Sequence, residues 1–233
     1  MNLTTIIYAL LAGIIPTFIW LIFWLREDNI HPEPRRLIAL SFLAGCLSVI
    51  IAIIFEKFAQ DVISNTAYKY MAWAGIEEIL KFIAVAIVAL NSKYLDEPID
   101  AMIYCITVAL GFAALENALF ILSPLHAGEL TTTIVTGNLR FIGATLVHVV
   151  SSASIGFMIG LSFYRGKIIK TLSIAIGIIL SMALHASFNL AIINSTTINT
   201  LKVFGGVWFA VVILIILFEE VKAVKPKTTQ RIA

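Results

Sequence analysis

Apolar runs of about 20 residues recur along the whole chain, and they restrict its fold more than any other feature. That length is what an α-helix needs to cross a hydrocarbon layer about 30 Å thick. Inside such a layer only helices and closed barrels satisfy their own backbone hydrogen bonds. Seven runs lie near 6–25, 37–55, 68–90, 100–122, 138–162, 169–192 and 203–218. They predict an all-α fold, a polytopic membrane helix bundle of about seven transmembrane helices. Of the 233 residues, 60% are hydrophobic and only 13% are charged. A soluble domain carries about a quarter charged residues, so that class is excluded. No repeat and no second domain is evident, and 1–233 reads as one transmembrane domain with a polar tail over 219–233. No cleavable signal peptide is expected, because the first run, Ile6 to Leu25, is long enough to span and has no Lys or Arg before it.

The links between runs carry the polar residues. Pro16 is expected to kink the first helix. The loop REDNIHPEPRR holds prolines that keep it out of a helix. A polar stretch from Glu56 to Ala67 is expected before the third helix, and Ser123 to Gly137 is expected to be the longest irregular link. Cys46 and Cys105 lie in apolar runs and read as buried thiols, not a disulfide or a metal pair. Lys and Arg decide orientation. One side of the bundle has 11 of them, in the first loop, around Lys93, around Lys167 and in the tail; the other has four, Lys57, Lys69, Arg140 and Lys202. The N-terminus is therefore placed outside and the C-terminus in the cytoplasm. Topology explains the basic residues, so the net charge of +2 calls for no nucleic acid; membrane lipid is the expected surrounding partner.

The third run contains MAWAGIEEILKF, Met71 to Phe82, with Glu77, Glu78 and Lys81 at membrane depth. A charge at the centre of a spanning helix costs roughly 2.5–3.5 kcal/mol on insertion scales. Lys81 follows Glu77 by four residues and Glu78 by three, so it reaches either. One acid can be neutralised and the other left to exchange a proton. An ion pair that merely locks two helices is the simpler alternative, but packing seldom needs two adjacent acids. Three further helices hold polar groups. GFAALENALF contains Glu116 and Asn117, LRFIGATLVHVVSSASIG contains Arg140 and His148, and SMALHASFNLA repeats Ser181, His185 and Asn189 every fourth residue. At 1.5 Å per residue, Glu77, Glu116, His148 and His185 lie roughly 14, 9, 15 and 11 Å from the outer ends of their runs. They are expected to form one layer in the outer half of the membrane.

Singly, these residues have simpler readings. A histidine can be a hydrogen-bonded packing residue, Asn189 can bond a carbonyl, Arg140 can snorkel and Asp100 can cap a helix. Together they suit hydrolysis of a peptide bond. A carboxylate serves as base for water and a histidine stabilises the oxyanion. Glu78, Glu116, His148 and His185 are alternatively ligands for zinc or another divalent metal. No H-E-x-x-H helix is present, so a metal site would draw on several helices. Glu77 or Glu78 is expected to activate water, with Glu78 preferred and Lys81 paired to the other acid. Asn189 is expected to orient the substrate carbonyl, with Asn117 and Arg140 in support. A serine nucleophile from Ser151, Ser152 or Ser154 is disfavoured. Intramembrane acids and histidines also mark proton- or cation-coupled transporters, and a non-catalytic scaffold is a third reading.

Four of these stretches resemble the motifs of the PrsW family of intramembrane proteases. EEILK is similar to the family's E-E-x-x-K, and GFAALENALF, with Phe112 four residues before Glu116, to its second motif. His148 with Arg140 before it resembles the third, and HASFN, His185 to Asn189, the fourth. The PEP loop (Pro32–Pro34) and EPID before the fourth helix are also similar, so the resemblance runs from about Pro32 to Asn189. Type II CAAX prenyl endopeptidases, in the same superfamily, end the second motif in His where this chain has Glu116. The resemblance implies a multi-pass protease of a prokaryotic plasma membrane. It implies a single-span membrane protein or peptide as substrate, for example an anti-sigma factor, cut near the outer face.

Overall fold

The structure is a computed structural model, and it describes residues 2–28, 31–193, 195 and 197–226, with 197 and 198 described in backbone only. Its helices are α1 Leu3–Leu25, α2 Arg35–Val62, α3 Thr66–Val85, α4 Asp100–His126, α5 Leu130–Leu139, α6 Thr145–Leu161, α7 Lys167–Ile193 and α8 Thr197–Lys222. A π-turn, Ala86–Leu90, continues α3, and another, Arg140–Ala144, joins α5 to α6 in one rod. The described residues thus form seven rods and no strand, as the apolar runs predict. Six are long and apolar enough to cross a membrane. The seventh is α3, whose apolar character is cut by Lys69, Glu77, Glu78 and Lys81.

Helix ends depart from the expected boundaries. The helix α2 runs to Val62, so most of the polar stretch from Glu56 is helical. The link from Ser123 to Gly137 shrinks to Ala127–Glu129 between α4 and α5. There Gly128 takes φ +78°, Gly128 N–H donates to Leu125 O at 3.2 Å and Glu129 N–H to Pro124 O at 2.9 Å. This left-handed glycine cap satisfies the last carbonyls of α4. The cause of both misplacements is the same. Hydropathy marks the thickness of the lipid layer, whereas a helix continues past it until a cap ends it. Pro16 leaves α1 a single helix. Asp100 is not an N-cap in the usual sense: its Oδ2 accepts from the preceding N–H groups of Asp96 and Glu97, at 2.9 and 2.6 Å. Of the tail expected from Glu219, the first four residues belong to α8, and 227–233 lie outside the described residues.

The centre of the bundle is α4, buried almost continuously from Asp100 to Ala114. It is enclosed by α1, α2 and α6. Backbones there approach closely through small residues, which is how helices gain packing contact when lipid offers no hydrophobic drive between them. A Cβ on Gly111 would lie 1.9 Å from Phe42 O, and one on Gly45 2.0 Å from Val108 O. Cys46 Sγ donates to Gly111 O at 3.1 Å, and both cysteines are free thiols. The charged helix α3 packs against α2 and α7, with further contacts to α4 and α6, and this shields its acids from lipid.

Candidate active site

The two adjacent acids of α3 have different surroundings. Glu78 is fully buried. Its Oε1 accepts from Lys81 Nζ and lies 2.8 Å from His185 Nδ1. Its Oε2 accepts from Ser152 of α6 at 3.1 Å and Ser181 of α7 at 2.7 Å. Both oxygens are therefore saturated, and the ion pair expected for Lys81 forms with Glu78, the acid preferred as base from sequence. Glu77 is the other case. Its Oε2 is buried with no hydrogen-bond partner among the described residues, 3.8 Å from His148 Nδ1 and 3.9 Å from His185 Nε2.

Each imidazole is fixed from its far side. His185 presents Nδ1 to Glu78 and Nε2 toward Glu77. His148 places Nε2 2.9 Å from Glu116 Oε2, while Nδ1 faces Glu77 and also lies 3.0 Å from Lys81 Nζ. The two rings meet edge to face with centroids 4.8 Å apart, and Phe112 closes the other side of His148. Glu116 is held in turn by Arg140 Nη2. Arg140 Nε donates to Asn117 Oδ1 at 2.6 Å, and Asn117 Nδ2 donates to Thr145 Oγ1 at 2.9 Å. Arg140 is thus tied into the cluster, with its guanidinium 4.0 Å from the centre of the Phe120 ring.

Glu77, Glu78, Lys81, Glu116, Asn117, Arg140, His148 and His185 consequently form one cluster at the junction of α3, α4, α6 and α7. Asn189, one turn beyond His185, lines the adjoining cavity of about 720 Å³ together with Glu77, Glu116, Arg140 and both histidines. Aromatic rings, among them Tyr70, Trp73, Phe188 and Phe204, complete its wall. A second cavity, of about 400 Å³, also opens on Glu77 and Glu116 and is lined by Glu56 of α2. Glu56 faces the same cavity as Glu77 and is a residue expected in a link. Its signal is nonetheless present. Gly45, Val49, Ala52 and Ala59 are buried on α2, and residue 56 completes their alternating spacing of four and three.

The donor atoms of Glu77, His148 and His185 all lie within 4.8 Å of one another. The ligand set expected from sequence is Glu78, Glu116, His148 and His185, and the donor group seen here shares its two histidines. Glu77 is the acid whose oxygen lies nearest both rings in that group, and Glu78 and Glu116 bond the rings' other nitrogens. A buried carboxylate oxygen without a partner, facing two imidazoles, fits a divalent metal by donor type.

A family model described as PrsW family intramembrane metalloprotease matches residues 33–218. Curated relatives agree. A Protease PrsW of Geobacillus kaustophilus is 30% identical over 67% of this chain and 64% of its own length. A Protease PrsW of Clostridioides difficile is 26% identical over 77% and 76%, and one of Bacillus subtilis 24% identical over 76% and 79%. The match thus spans just under two thirds of the first of these relatives. No solved structure matches the chain. The four-motif cluster on a helical membrane bundle and the match across residues 33–218 agree: this chain is a multi-pass cell-membrane protein and belongs to the PrsW family of intramembrane metalloproteases.

Proposed function

We propose that the protein is an endopeptidase, formed by a single domain over residues 1–233, that cuts single-span membrane-anchored proteins near the outer face of the membrane. An anchored anti-sigma factor is a substrate of this kind. The supporting observation is the unpartnered Glu77 Oε2 facing two imidazoles, each backed by a carboxylate, on the wall of a cavity of about 720 Å³. Two histidines and a glutamate are a ligand set used by catalytic zinc, so Glu77, His148 and His185 would hold zinc, and Glu116 and Glu78 would accept from the remaining ring N–H groups. Such an ion supplies Lewis acidity to the scissile carbonyl and lowers the pKa of water.

The chain's own groups handle the proton and the developing charge. Glu78 is neutralised by Lys81, and Glu116 by Arg140, with the His148 ring hydrogen-bonded to it. Glu56 makes no ion pair among the described residues and lies beside Glu77. It takes the proton of the attacking water and passes it to the leaving amine. The role expected for Glu78 thereby moves to Glu56, with Glu77 between it and the histidines. Asn189 donates its side-chain N–H to the carbonyl oxygen as charge grows.

The test is purified protein in liposomes given a panel of single-span peptides. Cleavage by the wild type and none by Glu77→Gln of equal fold is expected. Absence of cleavage together with pH-driven cation flux would replace this reading with a transporter.

A further inference from the structure

A second group of acids lies at the other end of α4, 16 residues or about 24 Å from Glu116 along the helix. Asp28 follows α1, Glu33 lies in the PEP loop, and Asp100 ends EPID and opens α4. One carboxylate oxygen from each lies within 4.8 Å of the others. Asp28 and Asp100 are 5% and 1% exposed. No Lys or Arg forms an ion pair with any of the three among the described residues, and His31, the nearby imidazole, is bonded to Glu97 at 2.6 Å.

Two of these acids already accept hydrogen bonds from the chain. Asp100 Oδ2 accepts two backbone N–H groups, and Glu33 Oε2 accepts the Tyr104 hydroxyl. The separate indication of a ligand is Asp28, whose buried Oδ2 has no hydrogen-bond partner among the described residues. A buried acceptor of this kind is costly to leave unmet.

We infer that Asp28, Glu33 and Asp100 form a binding site for a hard divalent cation such as Ca²⁺, Mg²⁺ or Mn²⁺, separate from the Glu77–His148–His185 cluster. An all-oxygen set of carboxylates selects these ions, whereas the two imidazoles of the other cluster suit zinc. The ion ties the loop after α1 to the start of α4, so its role is to fasten the PEP and EPID segments together.

Mn²⁺ binding followed by electron paramagnetic resonance tests this in the His148→Ala/His185→Ala protein, which lacks the imidazoles of the other cluster. One Mn²⁺ per folded chain is expected, displaced by Ca²⁺ or Mg²⁺. Adding Asp28→Asn, or separately Glu33→Gln, should weaken Mn²⁺ at least tenfold, with helical content by circular dichroism unchanged. Glu33 lies in a loop, so its variant remains informative if the buried Asp28 variant misfolds. No bound Mn²⁺ in the folded double variant, or undiminished affinity in both acid variants, would overturn the site. Neither result depends on peptide cleavage.

Discussion

Glu77 and Glu78 are chemically identical neighbours, and their partners alone separate them. Glu78 is enclosed by Lys81, Ser152, Ser181 and His185, whereas Glu77 Oε2 meets only the histidine rings at a distance. Glu77→Gln should remove detectable cleavage, because it takes away a metal ligand, with unfolding in detergent little changed. Lys81→Met should destabilise by about 3–5 kcal/mol, because it strands a buried carboxylate. Pairing it with Glu78→Gln should recover much of that loss, and denaturant titration of the three variants checks it. Equal destabilisation by the single and the double change would mean that Lys81 and Glu78 do not act as a pair. The sequence could identify the acids as costly at membrane depth, and so as candidates. It could not rank them, because helical spacing lets Lys81 reach both, and the deciding hydroxyls and imidazole come from α6 and α7.

Among the elements, α4 determines how the others pack. Its contact with α2 depends on Gly45 and Gly111, where a Cβ would meet backbone oxygen that cannot move aside. Gly111→Ala is expected to cost about 3 kcal/mol, the upper end for overpacking, and to lower the thermal unfolding temperature; a neutral effect would contradict the packing described. Number and order of the rods were legible in the apolar runs. Their ends were not, since α2 and α4 continue as helix beyond the lipid-like stretch until a cap such as Gly128 stops them. Glu56 was missed for that reason: assigned to a link, it lies on the buried side of α2 beside Glu77. The shared depth of Glu116, His148 and His185 was legible, because helical rise alone relates position in a run to depth.

At the scale of the whole molecule, the excess of Lys and Arg on one side is the ground for expecting the Glu77 cluster toward the outer face. A cysteine at Glu129, exposed in the link after α4, should react with an impermeant thiol reagent from outside, and one at Lys167 should not; the reverse pattern would put the cluster in the cytoplasmic half. The bundle then holds a zinc-type histidine cluster near one face and a carboxylate site near the other. The direct measurement is zinc content alongside peptide cleavage for purified protein before chelation, after it and after zinc is returned. One zinc per chain is expected, with cleavage lost on its removal and restored on its return, and with little zinc retained by Glu77→Gln or His185→Ala. Full cleavage by protein shown to be metal-free would contradict it, and would leave Glu77 itself as the base for water.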